Sequence, residues 1–142
     1  MVEIVRLTEA HEQALKEINS LIHQLSPRLP KCSMELLQRI AADDNLELWT
    51  AKDGERIVGM ATLAIVVIPE SPRAQIEDVV VDEQYRGQGL GERLSTKLIE
   101  RAREKKIPTI TLSSRADRVA ANKLYQKLGF QMKETNIYRL KL

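Results

Sequence analysis

Apolar and polar positions along this chain follow two different periods, which together predict a mixed α/β protein. Short β-branched runs bounded by turn residues predict strands, and apolar residues three or four positions apart predict helices. The predicted order is β-α-α-β-β-β-α-β-α-β-β, a mixed sheet with helices on both sides. Strands are predicted at 2–7, 46–51, 56–68, 76–81, 109–114, 130–132 and 137–142.

Capping and breaking residues set the predicted ends of the helices. Thr8, Ser33 and Asp117 have side chains that can accept hydrogen bonds from the first turn of a helix, so each is a predicted N-cap. Pro27 ends the first helix, because the residue before a proline is pushed out of the α region. Gly129 is suited to the left-handed position that follows the last helix.

A glycine-rich loop at 86–91, Arg-Gly-Gln-Gly-Leu-Gly, separates the predicted strand 76–81 from the start of a helix. Such a loop offers unpaired N–H groups and the positive end of a helix dipole, which predicts an anion site. A phosphate-binding P-loop would end in Gly-Lys-Ser or Gly-Lys-Thr, and this loop does not. A dinucleotide fingerprint needs a G-x-G-x-x-G spacing and an acid about 20 residues later, which are also missing.

Composition narrows the class of protein. The 142 residues are 43% apolar and 30% charged, which predicts one globular domain over 1–142. A net charge of +2 is too small to indicate a nucleic-acid partner. The apolar run 60–68 is too short to span a bilayer, and no signal-peptide pattern precedes it, so no membrane association is expected. With Cys32 as the single cysteine, a cytoplasmic location is expected. No metal-ligand cluster is present in the sequence.

Two motifs carry a resemblance to a known family. The R-x-x-G-x-G spacing of 86–91 closely resembles the acetyl-CoA pyrophosphate loop of the GCN5-related N-acetyltransferases, the GNAT family. The A-x-x-x-Y-x-x-x-G-F pattern of 121–130 is similar to the segment that follows the fifth strand in that family. The predicted element order matches over essentially the whole chain. The resemblance implies a GNAT fold, with 1–142 as a single N-acetyltransferase domain and acetyl-CoA as co-substrate.

The resemblance also implies which residues hold acetyl-CoA. In the family, backbone groups of the fourth strand and the glycine loop contact the cofactor. Two departures stand out, since many members have an asparagine where Arg118 stands and a glutamate where Ser113 stands. The candidate cofactor-binding residues are Val79, Val80, Val81, Arg86, Gly87, Gln88, Gly89, Leu90, Gly91 and Arg118.

Acetyl transfer to an amine needs a neutral amine, a stabilised oxyanion and a hydrogen-bond donor for the departing thiolate. Neutralising a lysine-like amine at pH 7 costs roughly 4.6 kcal/mol, so a general base is important for such acceptors. Glu77 is the first candidate for the base, directly or through a water molecule. Asp78 would point to the opposite face of a regular strand, but family members often have a bulge here, so it remains the alternative. The resemblance implies that Tyr125 lies near the thiolate.

The expected acceptor is a primary amine on a small molecule or a peptide. The sequence also leaves open whether the protein is a homodimer. The stretch 76–87 also looks like that of glucosamine-6-phosphate N-acetyltransferases, but it mainly serves acetyl-CoA. Arg28 and Lys31 lie where the family has a substrate-facing loop and could meet a phosphate or carboxylate, with plain solubility as the competing interpretation. Cys32 is expected to be an inert thiol. One alternative function is a non-catalytic acetyl-CoA sensor. Another is a toxin acting on aminoacyl-tRNA, but a toxin of this kind would need a more basic surface than a net charge of +2 supplies.

Overall fold

A computed structural model describes residues 1–142 and contains five strands and four helices. The strands are β1 (Val2–Arg6), β2 (Leu46–Asp53), β3 (Arg56–Val66), β4 (Arg73–Val81) and β5 (Ile110–Leu112). The helices are α1 (Glu12–Leu25), α2 (Met34–Ala42), α3 (Leu90–Glu104) and α4 (Val119–Lys127), with a short 3-10 turn at Glu83–Tyr85. None of the helices combines the length and the apolar character needed to cross a membrane.

The strands form one sheet in the order β1-β2-β3-β4-β5, which confirms the predicted mixed sheet. The first four strands are antiparallel to their neighbours, and β4 and β5 are parallel. Their parallel pairing is limited to Ala74–Ile76 on β4 and Ile110–Leu112 on β5. Because β4 continues to Val81 with only β3 as a partner, the far half of this strand has no strand on its β5 side.

Helices cover both faces of the sheet, as the sequence predicts. On one face α3 buries a stripe whose members are all 3% exposed or less, namely Leu90, Leu94, Leu98 and Ala102. On the other face α1 and α2 pack Ala14, Ile18, Leu21 and Leu37 against β2 and β3. Gly59 on β3 allows α3 to pack closely on the first face, because an added Cβ would lie 3.3 Å from Leu94 Cδ1 and from Ala51 Cβ.

Two of the three predicted N-caps are wrong. Ser33 does cap α2, accepting a hydrogen bond from the Leu36 N–H at 3.1 Å. At α1 the cap is His11 instead of Thr8, because the His11 Nδ1 atom accepts from the Ala14 N–H at 3.2 Å. At α4 the N-cap is Arg118 instead of Asp117, and it makes no side-chain cap hydrogen bond. The Asp117 carboxylate is paired with Arg115.

A β-bulge interrupts β4 where the two candidate carboxylates lie. Thr62 on β3 is paired with Glu77 and Met60 with Val80, so two residues of β4 face one residue of β3. Asp78 takes up the extra length with φ of 53°, in a left-handed conformation that aspartate tolerates better than most residues. The alternation of side chains is therefore broken here, and the bulge that the resemblance anticipated is present.

The predicted last two strands, 130–132 and 137–142, are not formed. Gly129 adopts φ of 101° and ends the run of α4 as expected, and Phe130 then packs against the core. Residues 131–142 are exposed and without helix or strand. Alternating apolar residues can predict a strand, but a strand forms only where an open edge supplies its backbone partners, and here none is paired with it.

Candidate active site

The glycine loop presents a row of free backbone donors at the start of α3. Gly87 and Gly89 both adopt φ of 78°, a conformation in which glycine alone is unstrained. Gly89 is the N-cap of α3 and has no side chain to satisfy the first turn. As a result, no N–H group from Gly87 to Glu92 donates to a protein acceptor. These donors and the helix dipole make a site for an anionic group.

Two side-chain contacts fix the loop to the sheet. Arg86 donates from Nε to the carbonyl of Val81 at 3.0 Å. Tyr85 donates its hydroxyl to the Asp53 carboxylate at 2.6 Å, which joins the loop to the end of β2. In the first turn of α3, the Glu92 carboxylate is 3.0 Å from the Lys127 ammonium, so its negative charge is partly balanced from α4.

A cleft of about 540 Å³ runs between this loop, the open half of β4 and the start of α4. Eleven of its eighteen lining residues are apolar, so the cleft can enclose an extended ligand with one anionic end. Gln88 is the only predicted cofactor-binding residue that does not line it. The predicted residues along its wall are Val79, Val80, Val81, Arg86, Gly87, Gly89, Leu90, Gly91 and Arg118, together with Tyr125.

A second, smaller cavity of about 130 Å³ adjoins the cleft on the side of the bulge. Glu77 and Asp78 both line it, with Ser113 from the end of β5. Val79, Arg118 and Tyr125 line both cavities, as does Leu25, so the two spaces meet at these residues. The arrangement brings two carboxylates close to the end of a ligand held in the cleft.

Both carboxylates of the bulge have raised pKa values. Burial raises the pKa of Glu77, and the nearby charge of Asp78 raises it further. Burial also raises the pKa of Asp78. A carboxylate with a raised pKa is a stronger base than an exposed one, so either member of this pair is suited to act as a general base.

Tyr125 is 6% exposed and lies at the junction of the two cavities. Its ring meets that of Phe130 edge to face, with 6.0 Å between centroids. Burial raises the pKa of the Tyr125 hydroxyl, and the positive charge of Arg118 partly offsets this effect. Arg118 also donates from Nη2 to the Val79 carbonyl at 3.5 Å, linking α4 to β4. The Tyr125 hydroxyl is therefore a weaker acid than that of free tyrosine.

The loop between α1 and α2 carries the remaining candidates. Arg28 and Lys31 are exposed and line neither cavity, so their predicted contact with the acceptor stays a prediction. Asn19 holds the backbone of Cys32 through two hydrogen bonds, of 3.0 Å and 2.7 Å. Burial and the charge of Asp78 raise the pKa of the Cys32 thiol, which keeps it protonated. This agrees with an inert cysteine.

Sequence reasoning placed Arg118 and Tyr125 at the site but missed the other residues that α1 and α4 contribute to the cleft wall. Gln24 and Leu25 come from the last turn of α1, where helical spacing indicated only a core stripe. Asn122, which was not assigned a role, donates to the carbonyls of Arg115 and Arg118 at 2.9 Å and fixes the turn before α4. The other cleft-lining residues of α4 are Val119, Ala120, Ala121 and Leu124.

The fold and the cleft define an α/β protein that binds an extended anionic ligand beside a small acidic cavity. A sequence model described as the Acetyltransferase (GNAT) family matches residues 13–130, most of the chain. The chain belongs to this family.

Solved structures and curated relatives agree with this assignment. An acetyltransferase from Trypanosoma brucei is 31% identical, with a TM-score of 0.80 and 100% of both chains covered. A structure described as a transcriptional regulator from Bacillus halodurans C-125 is 29% identical, with a TM-score of 0.83 and coverage of 99% and 100%. The glucosamine 6-phosphate N-acetyltransferase of Trypanosoma brucei brucei is 42% identical over 84 residues, 56% of this chain and 54% of that protein. The chain spans about half the length, or less, of the curated relatives it matches.

Proposed function

We propose that this chain is a single N-acetyltransferase domain over 1–142 that moves an acetyl group from acetyl-CoA to a primary amine by direct attack. Membership of the family supports the reaction class. The observation that carries the proposal is the meeting of two spaces at Tyr125, where an anion-binding cleft joins a cavity lined by Glu77 and Asp78. A pyrophosphate on the free N–H groups of 87–92 would direct the rest of the co-substrate along β4 toward this junction.

In this mechanism the acceptor amine enters the acidic cavity as an ammonium ion. Glu77 takes a proton from it, directly or through one water molecule, and Asp78 is the alternative base. A lysine-like amine with a pKa of about 10.4 costs roughly 4.6 kcal/mol to neutralise at pH 7, so a base with a raised pKa is useful here. The neutral amine then attacks the thioester carbonyl, and the carbon–sulfur bond breaks as the tetrahedral intermediate collapses. The second amine proton leaves to the departing thiolate or to solvent, which gives the neutral amide and coenzyme A.

The oxyanion and the thiolate need different partners. Val79, Val80 and Val81 line the cleft, and their backbone N–H groups are the proposed donors to the oxyanion. Tyr125 stabilises the departing thiolate by a hydrogen bond. Complete proton transfer from it is uphill by about 2 kcal/mol even for an ordinary phenol, and burial raises its pKa further. We therefore expect a Tyr125→Phe substitution to reduce kcat by about tenfold and not to abolish turnover.

The acceptor is proposed to be a primary amine on a small molecule or a peptide, and the protein to act in the cytoplasm. Two carboxylates in the acceptor cavity favour a cationic amine. Arg28 and Lys31, on the loop that follows α1, would meet a phosphate or carboxylate on a larger acceptor. A glucosamine phosphate is one such acceptor, because the relative that is 42% identical over 84 residues is a glucosamine 6-phosphate N-acetyltransferase.

A second candidate function is a non-catalytic acetyl-CoA sensor. One observation favours it, since the 29% identical structure from Bacillus halodurans C-125 is described as a transcriptional regulator. A sensor would need the cleft but would have no use for a base beside it. The joint presence of Glu77 and Tyr125 at one junction therefore supports the enzyme over the sensor.

The experiment is thioester cleavage of acetyl-CoA with a panel of amines, next to calorimetry of acetyl-CoA binding. The panel holds amino-sugar phosphates, free amino acids, polyamines and peptides with free N-termini. Saturable turnover with one class, reduced at least a hundredfold by Glu77→Gln at unchanged acetyl-CoA affinity, supports the enzyme. Binding without turnover on any amine supports the sensor. Absence of binding contradicts both. If a phosphorylated acceptor is used, an Arg28→Ala, Lys31→Ala pair should raise its KM alone.

A further inference from the structure

Arg118 stands at a position where this chain departs from the asparagine that many family members carry. It is the N-cap residue of α4, but its side chain makes no cap hydrogen bond. The side chain instead reaches β4, where Nη2 donates to the Val79 carbonyl at 3.5 Å. Both residues line the cleft and the acidic cavity, so a positive charge lies where the two spaces meet.

The backbone of Arg118 is held independently of its side chain. Its N–H donates to the Arg115 carbonyl at 3.1 Å, and its own carbonyl accepts from the Asn122 N–H at 3.0 Å and from Asn122 Nδ2 at 2.9 Å. Because the guanidinium takes no part in these contacts, the side chain can be changed while the start of α4 keeps its hydrogen bonds.

The charge of Arg118 is not balanced by any carboxylate. Arg118 forms no ion pair in the structure. Glu77 and Asp78 line the same small cavity, yet both have raised pKa values, so its charge does not neutralise them. Val79 and the Tyr125 hydroxyl are the protein groups that its N–H donors reach, and a guanidinium has five such donors. A half-buried cation with spare donors is suited to a negative group on a ligand.

The position along β4 decides which part of the co-substrate Arg118 meets. The glycine loop, where the pyrophosphate is proposed to bind, is fixed by the bond from Arg86 to the Val81 carbonyl. Arg118 is bonded two residues earlier, at Val79, which directly follows Asp78 of the bulge. Two residues of an extended strand span roughly 6.6 Å. Arg118 therefore lies on the side of the thioester and not of the pyrophosphate.

This inference rests on the proposed acetyl transfer. We propose that the Arg118 guanidinium donates hydrogen bonds to the coenzyme A sulfur and stabilises it as a thiolate when the carbon–sulfur bond breaks. The electron pair of that bond stays on sulfur, and the proton lost by the amine passes to the thiolate or to solvent. A guanidinium stays charged throughout the working pH range, so it stabilises the thiolate without giving up a proton. Tyr125 then supplies a second, neutral hydrogen bond.

The test compares two ligands that differ at the sulfur, and it needs no acceptor. Coenzyme A has a thiol that ionises, whereas acetyl-CoA has none. An opposite charge nearby lowers a pKa by about 1–3 units, so we expect the affinity of coenzyme A, relative to acetyl-CoA, to rise at least about tenfold between about pH 6 and 10. Calorimetry at each pH measures both affinities. The other titratable side chains that line the two spaces affect both ligands and are unchanged between variants, namely Glu77, Asp78, Tyr85, Arg86, Glu92 and Tyr125.

Three variants assign the rise to Arg118. Arg118→Gln keeps a donor for the Val79 carbonyl but removes the charge, and the rise should disappear. Arg118→Lys keeps the charge and should retain a rise of at least about threefold. Arg115→Gln is the matched control, because Arg115 is exposed, lines neither space and is paired with Asp117, and it should behave like the native chain.

The outcomes separate this inference from the proposed function. If coenzyme A and acetyl-CoA both bind but their ratio does not change with pH, or changes equally in Arg118→Gln, the role of Arg118 is wrong and the enzyme still stands. If neither ligand binds the native chain, both proposals fail. With an amine that is turned over, Arg118→Gln should lower kcat at least about tenfold and change the KM for acetyl-CoA by less than about threefold. A higher KM at unchanged kcat would mean that Arg118 only binds the co-substrate, which would also contradict the inference.

Discussion

The Gln24 side chain at the end of α1 donates from Nε2 to Oδ2 of Asp82, just after β4, at 3.3 Å. Its Oε1 atom accepts the N–H of Glu83 at 2.9 Å. Asp82 is 7% exposed, and its carboxylate also accepts from Gln84 N–H at 2.9 Å and pairs with Arg56 at 3.4 Å. One carboxylate thus ties the first helix and β3 to the turn that leads into the glycine loop.

We expect Asp82→Asn to weaken acetyl-CoA binding about tenfold while kcat changes little. The substitution keeps the shape of the side chain but removes the charge that holds Arg56, and hydrogen bonds to charged groups contribute about 1.5–3 kcal/mol. Part of that loss would appear as disorder of the glycine loop at 86–91, which is proposed to contact acetyl-CoA. Calorimetry and the KM for acetyl-CoA measure the effect. Glu83→Gln removes the same charge from the exposed neighbour and should leave both values unchanged. Equal affinities for Asp82→Asn and the native chain would reject the role.

A matched pair of substitutions at Gly89 separates backbone strain from charge. An added Cβ would meet nothing within 4 Å, so space does not limit the residue, but φ of 78° does. Asparagine and aspartate both tolerate this conformation and have nearly the same shape. We expect Gly89→Asn to bind acetyl-CoA within about tenfold of the native protein, and Gly89→Asp to lose at least another tenfold, because its carboxylate would face the pyrophosphate. Similar affinities for the two variants would contradict the proposal that the pyrophosphate binds at this loop.

The parts of the fold that depend on local pattern were predictable from the sequence. The buried stripe of α3 and the glycine loop before it are set by residues close together in the chain, and both are found where expected. Ser33 as a cap is equally local. The residues of β4 and of the glycine loop that line the cleft could be predicted because the motif at 86–91 directly follows this strand, and the family resemblance covers both.

The rest depends on contacts between distant parts of the chain. Nothing near Gln24 in the sequence indicates that its partner is Asp82, 58 positions later. His11 in place of Thr8 as a cap depends on where the chain leaves β1. The segment 137–142 has the pattern of a strand, but pattern does not say whose edge it will meet. These features share one property. Each depends on where a second element, distant in the sequence, lies in the fold.

We expect Asp78→Asn to move the acidic limb of the kcat/KM profile to lower pH. The charge of Asp78 raises the pKa of Glu77, so removing that charge lowers it and leaves Glu77 ionised at lower pH. Asparagine tolerates the left-handed backbone of the bulge, so the geometry is kept. The profile is measured with the best amine of the panel, between pH 5 and 9.

The control for this shift is Asp117→Asn, which removes an exposed carboxylate that is paired with Arg115 and should leave the acidic limb in place. If Asp78 is itself the base, Asp78→Asn would lose most of its activity at every pH and no limb would move. A limb that moves to higher pH would contradict the electrostatic coupling of the two carboxylates.

A buried carboxylate far from the cleft should control stability in acid. The Glu47 side chain is fully buried, with its oxygens 2.8 Å and 2.9 Å from Arg101, 3.4 Å from Lys105 and 3.8 Å from Arg6. Trp49 also donates to it at 2.9 Å. Burial alone would raise the pKa of Glu47, but the hydrogen bonds and cations outweigh it and lower the pKa to about 2.

The folded pKa of Glu47 lies below the ordinary value of 4.5, so its contribution to stability is complete above pH 4.5 and is lost as the pH falls toward 2. At pH 7 we expect Glu47→Gln to lower the free energy of unfolding by about 3–5 kcal/mol, because three cations lose their partner. Urea unfolding of both proteins should show this difference shrinking between pH 4.5 and 2.5. Glu100→Gln, which breaks an exposed pair with Lys97, should cost less than about 1 kcal/mol at either pH. A Glu47→Gln penalty that stays constant down to pH 2.5 would mean that packing, and not the charge, is what Glu47 contributes.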